Sequence, residues 1–117
     1  MTAVARVLDV ETTLERLAGD EELFGEIAQI LIMTAPAQLE SIGAALDNKD
    51  LKSAYEEAHS LKGAVAAFEA PEVFTRVAAV EKLARAEDGA GALAAFAEAH
   101  PMVKNLLAEL AAFAPAA

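Results

Sequence analysis

The sequence predicts an all-α protein, an antiparallel four-helix bundle with a short extra helix at its N-terminus. Apolar residues recur at spacings of three and four along most of the 117-residue chain, and no segment shows a convincing alternation of apolar and polar residues. Alanine supplies much of the 56% hydrophobic content, and alanine favours helix over strand. Short turn-forming clusters separate the apolar stretches, so consecutive helices should pack side by side in opposite directions.

The first two helices should meet at Gly19. We expect the first helix over about residues 9–18, because glycine tolerates the left-handed conformation that often ends a helix. Asp20 is placed to cap a second helix, which should run to about Leu46 with a kink at Pro36. The expected apolar stripe of the second helix consists of Leu23, Phe24, Ile27, Ile30, Leu31, Leu39, Ile42 and Leu46.

The third and fourth helices are bounded by a polar turn and a proline. An Asn-Lys-Asp turn ends at Asp50, where the third helix should begin, and the apolar pattern carries this helix to about Phe68. Pro71 suits the first turn of a fourth helix, which continues to about Ala86. The stripe of the third helix that should face the core consists of Leu51, Ala54, Ala58, Leu61, Val65 and Phe68.

The fifth helix should follow a glycine-rich turn. Residues 87–91 read Glu-Asp-Gly-Ala-Gly and are expected to form this turn. Pro101 should bend the fifth helix, and the tail over residues 114–117 should fray. The apolar residues of the fifth helix are Leu93, Phe96, Val103, Leu106, Leu107 and Leu110.

Composition favours one soluble domain over residues 1–117. The absence of cysteine excludes disulfides, thiolate chemistry and cysteine-ligated zinc, and it agrees with a reducing cytoplasm. The net charge of −10 disfavours nonspecific binding to nucleic acid or anionic lipid and opposes self-association. The sequence contains neither the roughly 18 consecutive apolar residues of a membrane span nor a secretion signal. We therefore expect a cytoplasmic monomer that does not bind nucleic acid or membranes.

One exposed patch of the third helix is the strongest candidate for function. On a helical wheel His59 lies opposite the apolar stripe, and Lys62 and Gly63 follow at three and four residues. Histidine is a nucleophile and proton carrier near neutral pH, and lysine can hold phosphate as a point charge. A glycine inside a helix costs about 1 kcal/mol of stability relative to alanine, so its presence indicates that the site needs a backbone without a side chain. The simplest hypothesis is a phosphoryl-carrying histidine covered by another protein during transfer.

Other candidate sites are weaker. An isolated histidine on a polar helix face is usually idle, and a metal site of His59, His100 and a carboxylate matches no metal motif. His100 is expected at a helix bend beside Pro101. Carboxylates such as Glu57 and Glu81 are expected on solvated helix faces, because no second group completes a catalytic pair. The chain has no glycine-rich phosphate loop, which disfavours nucleotide binding.

Residues 58–64, Ala-His-Ser-Leu-Lys-Gly-Ala, resemble the signature of histidine-containing phosphotransfer (HPt) domains of bacterial phosphorelays. The His-x-Leu-Lys-Gly core is specific in an all-helical domain of this length. Weaker similarities flank it and extend over most of the chain. Residues 17–24 resemble the family's entry into its second helix, Ala35-Pro36 its proline-marked helix, and Val80-Glu81 the segment after the histidine helix.

The resemblance implies a two-component phosphocarrier and not an enzyme. His59 would accept a phosphoryl group from the aspartyl phosphate of a receiver domain, in a response regulator or hybrid histidine kinase, and pass it to another receiver. Lys62 would neutralise the phosphoryl oxygens, and Gly63 would leave clearance for docking. The receiver would supply the aspartate and Mg²⁺, so this chain would need no cofactor. The rival hypothesis is a docking module of the same shape in which His59 is inert.

Overall fold

The computed structural model describes residues 6–113, which form five helices. The four long helices pack in a ring in which each contacts the next and the last returns to the first, and this confirms the predicted all-α bundle with a short extra N-terminal helix. The predicted frayed tail lies outside the described residues. The helices are α1 (Val10–Arg16), α2 (Glu21–Asp47), α3 (Leu51–Val65), α4 (Pro71–Arg85) and α5 (Gly89–Phe113).

Aspartate side chains cap the N-termini of three of these helices. Asp9, Asp20 and Asp50 each accept a hydrogen bond from the backbone N–H three residues further on, over 3.0–3.1 Å. These bonds satisfy donors that have no partner within the helix, and each carboxylate also faces the positive end of the helix dipole. Gly19 lies between α1 and α2 with φ of +77°, the left-handed conformation expected for it.

Two predicted boundaries are wrong. Gly89 and Gly91 lie in the first turn of α5 and not in a preceding turn, because Asp88 acts as a cap and accepts a hydrogen bond from the Gly91 N–H at 2.8 Å. The third helix ends at Val65, three residues before the expected end, although Phe68 is still buried. The second helix continues without interruption through Pro36, whose side chain is exposed.

The core lies along the bundle axis, and the α3 stripe enters it largely as predicted. Five of the six expected α3 residues are buried, and Leu51 is half-buried. The predicted apolar stripes of α2 and α5 include residues that are not buried, because Leu23, Ile30 and Leu93 are 38%, 60% and 44% exposed. Each lies at the side of its helix, since residues such as Phe24 already fill the inward positions.

The short helix α1 packs over the end of α3. The backbone carbonyl of Glu69 accepts a hydrogen bond from Asp9 N–H, and the hydroxyl of Thr13 accepts one from Glu69 N–H, both over 2.8 Å. Arg16 also donates to the carbonyl of Ala66 at 3.0 Å. These three hydrogen bonds therefore hold the segment that joins α3 to α4 against α1 and its cap residue. Within residues 6–113, no helix is both long enough and apolar enough to cross a membrane.

Candidate functional site

His59 lies where the sequence places it, on the outer face of α3. Its side chain is 64% exposed, and the α3 residues on the opposite side, such as Ala58 and Leu61, are fully buried. The ring is nevertheless held in position, because its Nδ1 lies 3.0 Å from Oε2 of Glu81 in α4. An exposed imidazole with one anchored nitrogen has a defined orientation that a freely rotating surface histidine lacks.

Glu81 lies in a different environment from the one that its sequence pattern indicated. A solvated face was the expectation, but only 8% of its side chain is exposed, and two cationic side chains and the His59 ring contact it. Besides His59, Lys62 Nζ lies 2.7 Å from Oε1 and Arg85 Nη2 lies 3.2 Å from Oε2. The missed signal is its spacing, since Glu81 follows the buried Val77 by four residues and therefore belongs to the inward face of α4.

The charge state of Glu81 follows from this environment. Burial of the carboxyl by itself raises its pKa, but the contacts and positive charges of Lys62 and His59 outweigh burial, so that the pKa of Glu81 is lowered. The side chain is therefore a carboxylate at neutral pH. A carboxylate can only accept hydrogen bonds, so Nδ1 of His59 must carry the proton in their contact.

This contact determines which nitrogen of His59 keeps a free lone pair. In a neutral imidazole with the proton on Nδ1, the lone pair is on Nε2. Among residues 6–113 no hydrogen bond holds Nε2, and 64% of the His59 side chain is exposed. The site thus leaves Nε2 with an unshared lone pair, while the Glu81 carboxylate holds the proton on Nδ1.

Two cations contact the carboxylate that holds the imidazole, and the sequence identified only one of them. Lys62 is half-buried, with its ammonium 6.0 Å from the centre of the Phe74 ring. Arg85, which no sequence pattern indicated, lies with its guanidinium 4.9 Å from the ring centre of Tyr55. Both contacts are at distances at which a cation is attracted to an aromatic face. The helix α4 therefore brings a second cation to the carboxylate that anchors His59.

Gly63 is exposed one turn after His59. A Cβ atom built on Gly63 would meet nothing within 4 Å, and its backbone is ordinary right-handed helix. The packing of this domain therefore does not require glycine at this position. On the α2 side of the same face, Gln38 Nε2 donates a hydrogen bond to Ser60 Oγ at 3.1 Å.

The structure does not bring the second histidine into this site. His100 lies in α5, half-buried, with its ring edge-on to Phe96 at 5.6 Å between ring centres. Within residues 6–113, no three His, Cys, Asp or Glu side chains are grouped so that they could hold a metal ion. The described part of the chain therefore contains one exposed, ion-paired histidine, and it is the one that the sequence selected.

Comparison with protein families agrees with this geometry. The family model of the Hpt domain matches residues 26–113, which include α3, α4, α5 and most of α2. The chain therefore belongs to the Hpt domain family, whose members are helical phosphocarriers in phosphorelay signalling. No match was found among curated proteins or among solved structures.

Proposed function

We propose that this protein is a phosphorelay carrier in which His59 accepts a phosphoryl group from a receiver-domain aspartyl phosphate and passes it to another receiver. The observation that carries the proposal is the His59–Glu81 contact, which fixes the proton on Nδ1 and leaves Nε2 as an outward nucleophile. Family membership supports the same reaction class. In this proposal residues 1–117 act as one monomeric, cytoplasmic domain.

The transfer step needs no general base on this chain. The Nε2 lone pair of His59 forms a bond to phosphorus, and the bond between phosphorus and the aspartyl oxygen breaks, so that the aspartate leaves as a carboxylate. The proton on Nδ1 stays in place, and the phosphorylated ring is a cation paired with the Glu81 carboxylate. Onward transfer reverses these steps on a second receiver, with the neutral imidazole as the leaving group.

Lys62 and Gly63 have supporting roles in this proposal. The Lys62 ammonium is one helical turn from His59, so a change of rotamer can move it from Glu81 toward a phosphoryl oxygen. Gly63 has open space above its Cα, which leaves room for the incoming domain. The receiver supplies the aspartate and the Mg²⁺ that neutralises the transferring group. Positioning and charge stabilisation then account for most of the catalysis.

The proposal is tested by incubating the protein with phosphorylated receiver domains from the same organism and measuring its intact mass. We expect a gain of one phosphoryl group that is lost in acid and kept in alkali, as for a phosphorus–nitrogen bond. A receiver should then remove the group from the isolated phosphoprotein. Binding of receivers without any gain of mass would instead support the docking module in which His59 is inert.

A further inference from the structure

A groove between α2 and α5 lies on the opposite side of the bundle from His59. The four long helices form a ring in which α3 contacts α4 and α2 contacts α5. His59 and Glu81 meet at the α3–α4 seam, so the α2–α5 seam is the opposite one. The groove there has a volume of about 500 Å³, and clefts that hold small ligands measure about 300–1,000 Å³. None of the residues placed at the phosphotransfer site lines this groove.

The centre of the groove is apolar. The ring of Phe96 packs against the bare backbone of Gly43, because a Cβ atom built on Gly43 would lie 3.3 Å from Cε2 of Phe96. Leu39, one turn before Gly43, also lines the groove and is buried. Phe96 itself is only half-buried, so part of an apolar ring remains open to a ligand in the groove.

The two walls of the groove carry opposite charges. The α2 wall contributes the exposed carboxylates of Glu40 and Asp47, which are about two turns apart on that helix. The α5 wall contributes the ammonium of Lys104 and the ring of His100, one turn apart. Phe96 contacts the His100 ring edge-on, with 5.6 Å between the ring centres. A ligand in the groove therefore lies between acidic and basic side chains.

The charged side chains of the two walls are not paired with one another. In the described part of the chain, the side chains of Glu40, Asp47 and Lys104 form neither a hydrogen bond nor an ion pair. At the neighbouring α4–α5 seam, by contrast, Arg76 and Glu98 do form an ion pair. The groove thus keeps opposite charges apart, and the hydrogen-bonding capacity of both walls is available to a ligand.

The direction of the helices shows which carboxylate opposes the basic wall. α2 and α5 run in opposite directions, and Gly43 contacts Phe96. Residues that follow Phe96 on α5 therefore lie level with residues that precede Gly43 on α2. His100 and Lys104 follow Phe96, and Glu40 precedes Gly43, so Glu40 is the carboxylate nearer to the basic wall.

This arrangement determines the charge pattern that a ligand needs. A polyanion such as a nucleotide would meet two carboxylates and one lysine, and a polyamine would be repelled by Lys104. A molecule with one carboxylate and one ammonium satisfies both walls at once through charge-assisted hydrogen bonds. An apolar side chain on the same molecule would cover the open part of the Phe96 ring.

We propose that the α2–α5 groove binds a free α-amino acid with an apolar side chain. The ligand carboxylate accepts hydrogen bonds from Lys104 and from a ring N–H of His100, and the ligand ammonium donates to Glu40. The amino acid bridges two helices and stabilises the folded state according to its occupancy. This inference does not depend on the proposed function, because the groove and His59 lie at opposite seams.

The test is an NMR titration of the nitrogen-15-labelled, full-length protein with L-leucine. Two analogues separate the contributions of the ligand charges, since 4-methylpentanoate lacks the ammonium of leucine and 3-methylbutylamine lacks its carboxylate. Glu40→Gln and Lys104→Gln each remove one charge from the groove. The matched controls are Glu26→Gln in α2 and Lys82→Gln in α4, because both residues are exposed and lie outside the groove. Circular dichroism verifies that each variant is folded.

We expect L-leucine to shift the amide resonances of Gly43, Phe96 and His100 until they saturate, with a Kd of about 1 mM. Each analogue should bind about tenfold more weakly, because one charge-assisted contact is lost. Glu40→Gln and Lys104→Gln should raise the Kd for leucine by a similar factor, whereas the two control variants should keep the wild-type Kd.

Three results would overturn the inference. The first is the absence of shifts in the groove at leucine concentrations up to about 20 mM. The second is equal binding of leucine and both analogues, because the groove would then bind apolar molecules regardless of charge. The third is a wild-type Kd in both Glu40→Gln and Lys104→Gln. Shifts centred on His59 would count with the first result, since the ligand would then bind at the opposite seam.

Discussion

The two histidines of this chain occupy opposite kinds of environment. His59 is 64% exposed, yet its Nδ1 is held by a buried carboxylate. His100 is half-buried and contacts the edge of the Phe96 ring. The first ring is oriented by an ion pair and open to solvent, and the second is packed against an aromatic side chain between long helices.

The difference shows that orientation and accessibility can be supplied by different helices. The position of His59 on α3 exposes the ring, and Glu81 on α4 fixes its proton. His100 has a packing partner on its own helix, four residues earlier, and receives no comparable anchor from residues 6–113. In this protein the exposed His59 ring thus depends on two packed helices, whereas the ring contact of His100 lies within its own helix.

The largest expected effect comes from exchanging each histidine for glutamine. His59→Gln should abolish phosphorylation by receivers and by phosphoramidate, because glutamine has no nucleophilic ring nitrogen. His100→Gln should keep both reactions. The measurement is intact mass after incubation, with circular dichroism to verify folding. Acid-labile phosphate on His59→Gln would contradict the proposed site.

Replacing the anchor should make His59 behave like an ordinary surface histidine. Glu81→Gln removes the charge that holds Nδ1–H, so the ring and its proton lose their fixed arrangement. We expect phosphorylation rates to fall about 10- to 100-fold with both receiver and phosphoramidate. Glu98→Gln is the matched control, because Glu98 pairs with Arg76 on an exposed surface. Equal phosphorylation rates for Glu81→Gln and wild type would show that Glu81 does not orient His59 for the reaction.

The clearance above Gly63 concerns access to His59 and not its orientation. Gly63→Gln places a long side chain one turn from the ring, in space that is open in the free protein. Receiver-dependent transfer should fall about tenfold, because close approach is obstructed, whereas labelling by phosphoramidate should change little. Equal loss with both donors would mean that Gly63 acts on the histidine itself.

The anchor should also produce a pH-dependent contribution to stability. The pKa of Glu81 is lower in the folded protein than its ordinary value, so the folded state binds this proton less readily than the unfolded chain does. Wild type should exceed Glu81→Gln by about 1–3 kcal/mol above pH of about 4.3 and lose this advantage as pH falls further. Urea unfolding from pH 3 to 7 measures it. A difference that grows on acidification would have the wrong sign.

The smallest expected effect is a gain in stability from Gly63→Ala. A Cβ at this position meets nothing within 4 Å, and the backbone is already right-handed helix. Alanine should therefore raise the free energy of unfolding by up to about 1 kcal/mol through helix propensity. Thermal unfolding compares it with wild type. A loss of stability would show that glycine serves the fold.

The apolar spacing was sufficient to predict five helices, their order, and the outward position of His59 and Gly63, whereas Lys62 is half-buried. These are local properties, because the direction of a side chain around a helix depends on its position within that helix. The same spacing predicted too many core residues and placed Ile30 among them, because several turns of α2 have more apolar residues than the inward face can bury.

The sequence by itself therefore determined the fold class and the exposed His59 patch, with a family signature that the family comparison confirmed. Only the tertiary structure decided that Glu81 is a buried anchor, that Arg85 joins it, and that Ile30 remains exposed. The physical reason is that contacts between helices depend on how each helix is rotated and shifted against its neighbour. Side-chain packing of the whole bundle sets those quantities, and no local pattern specifies them.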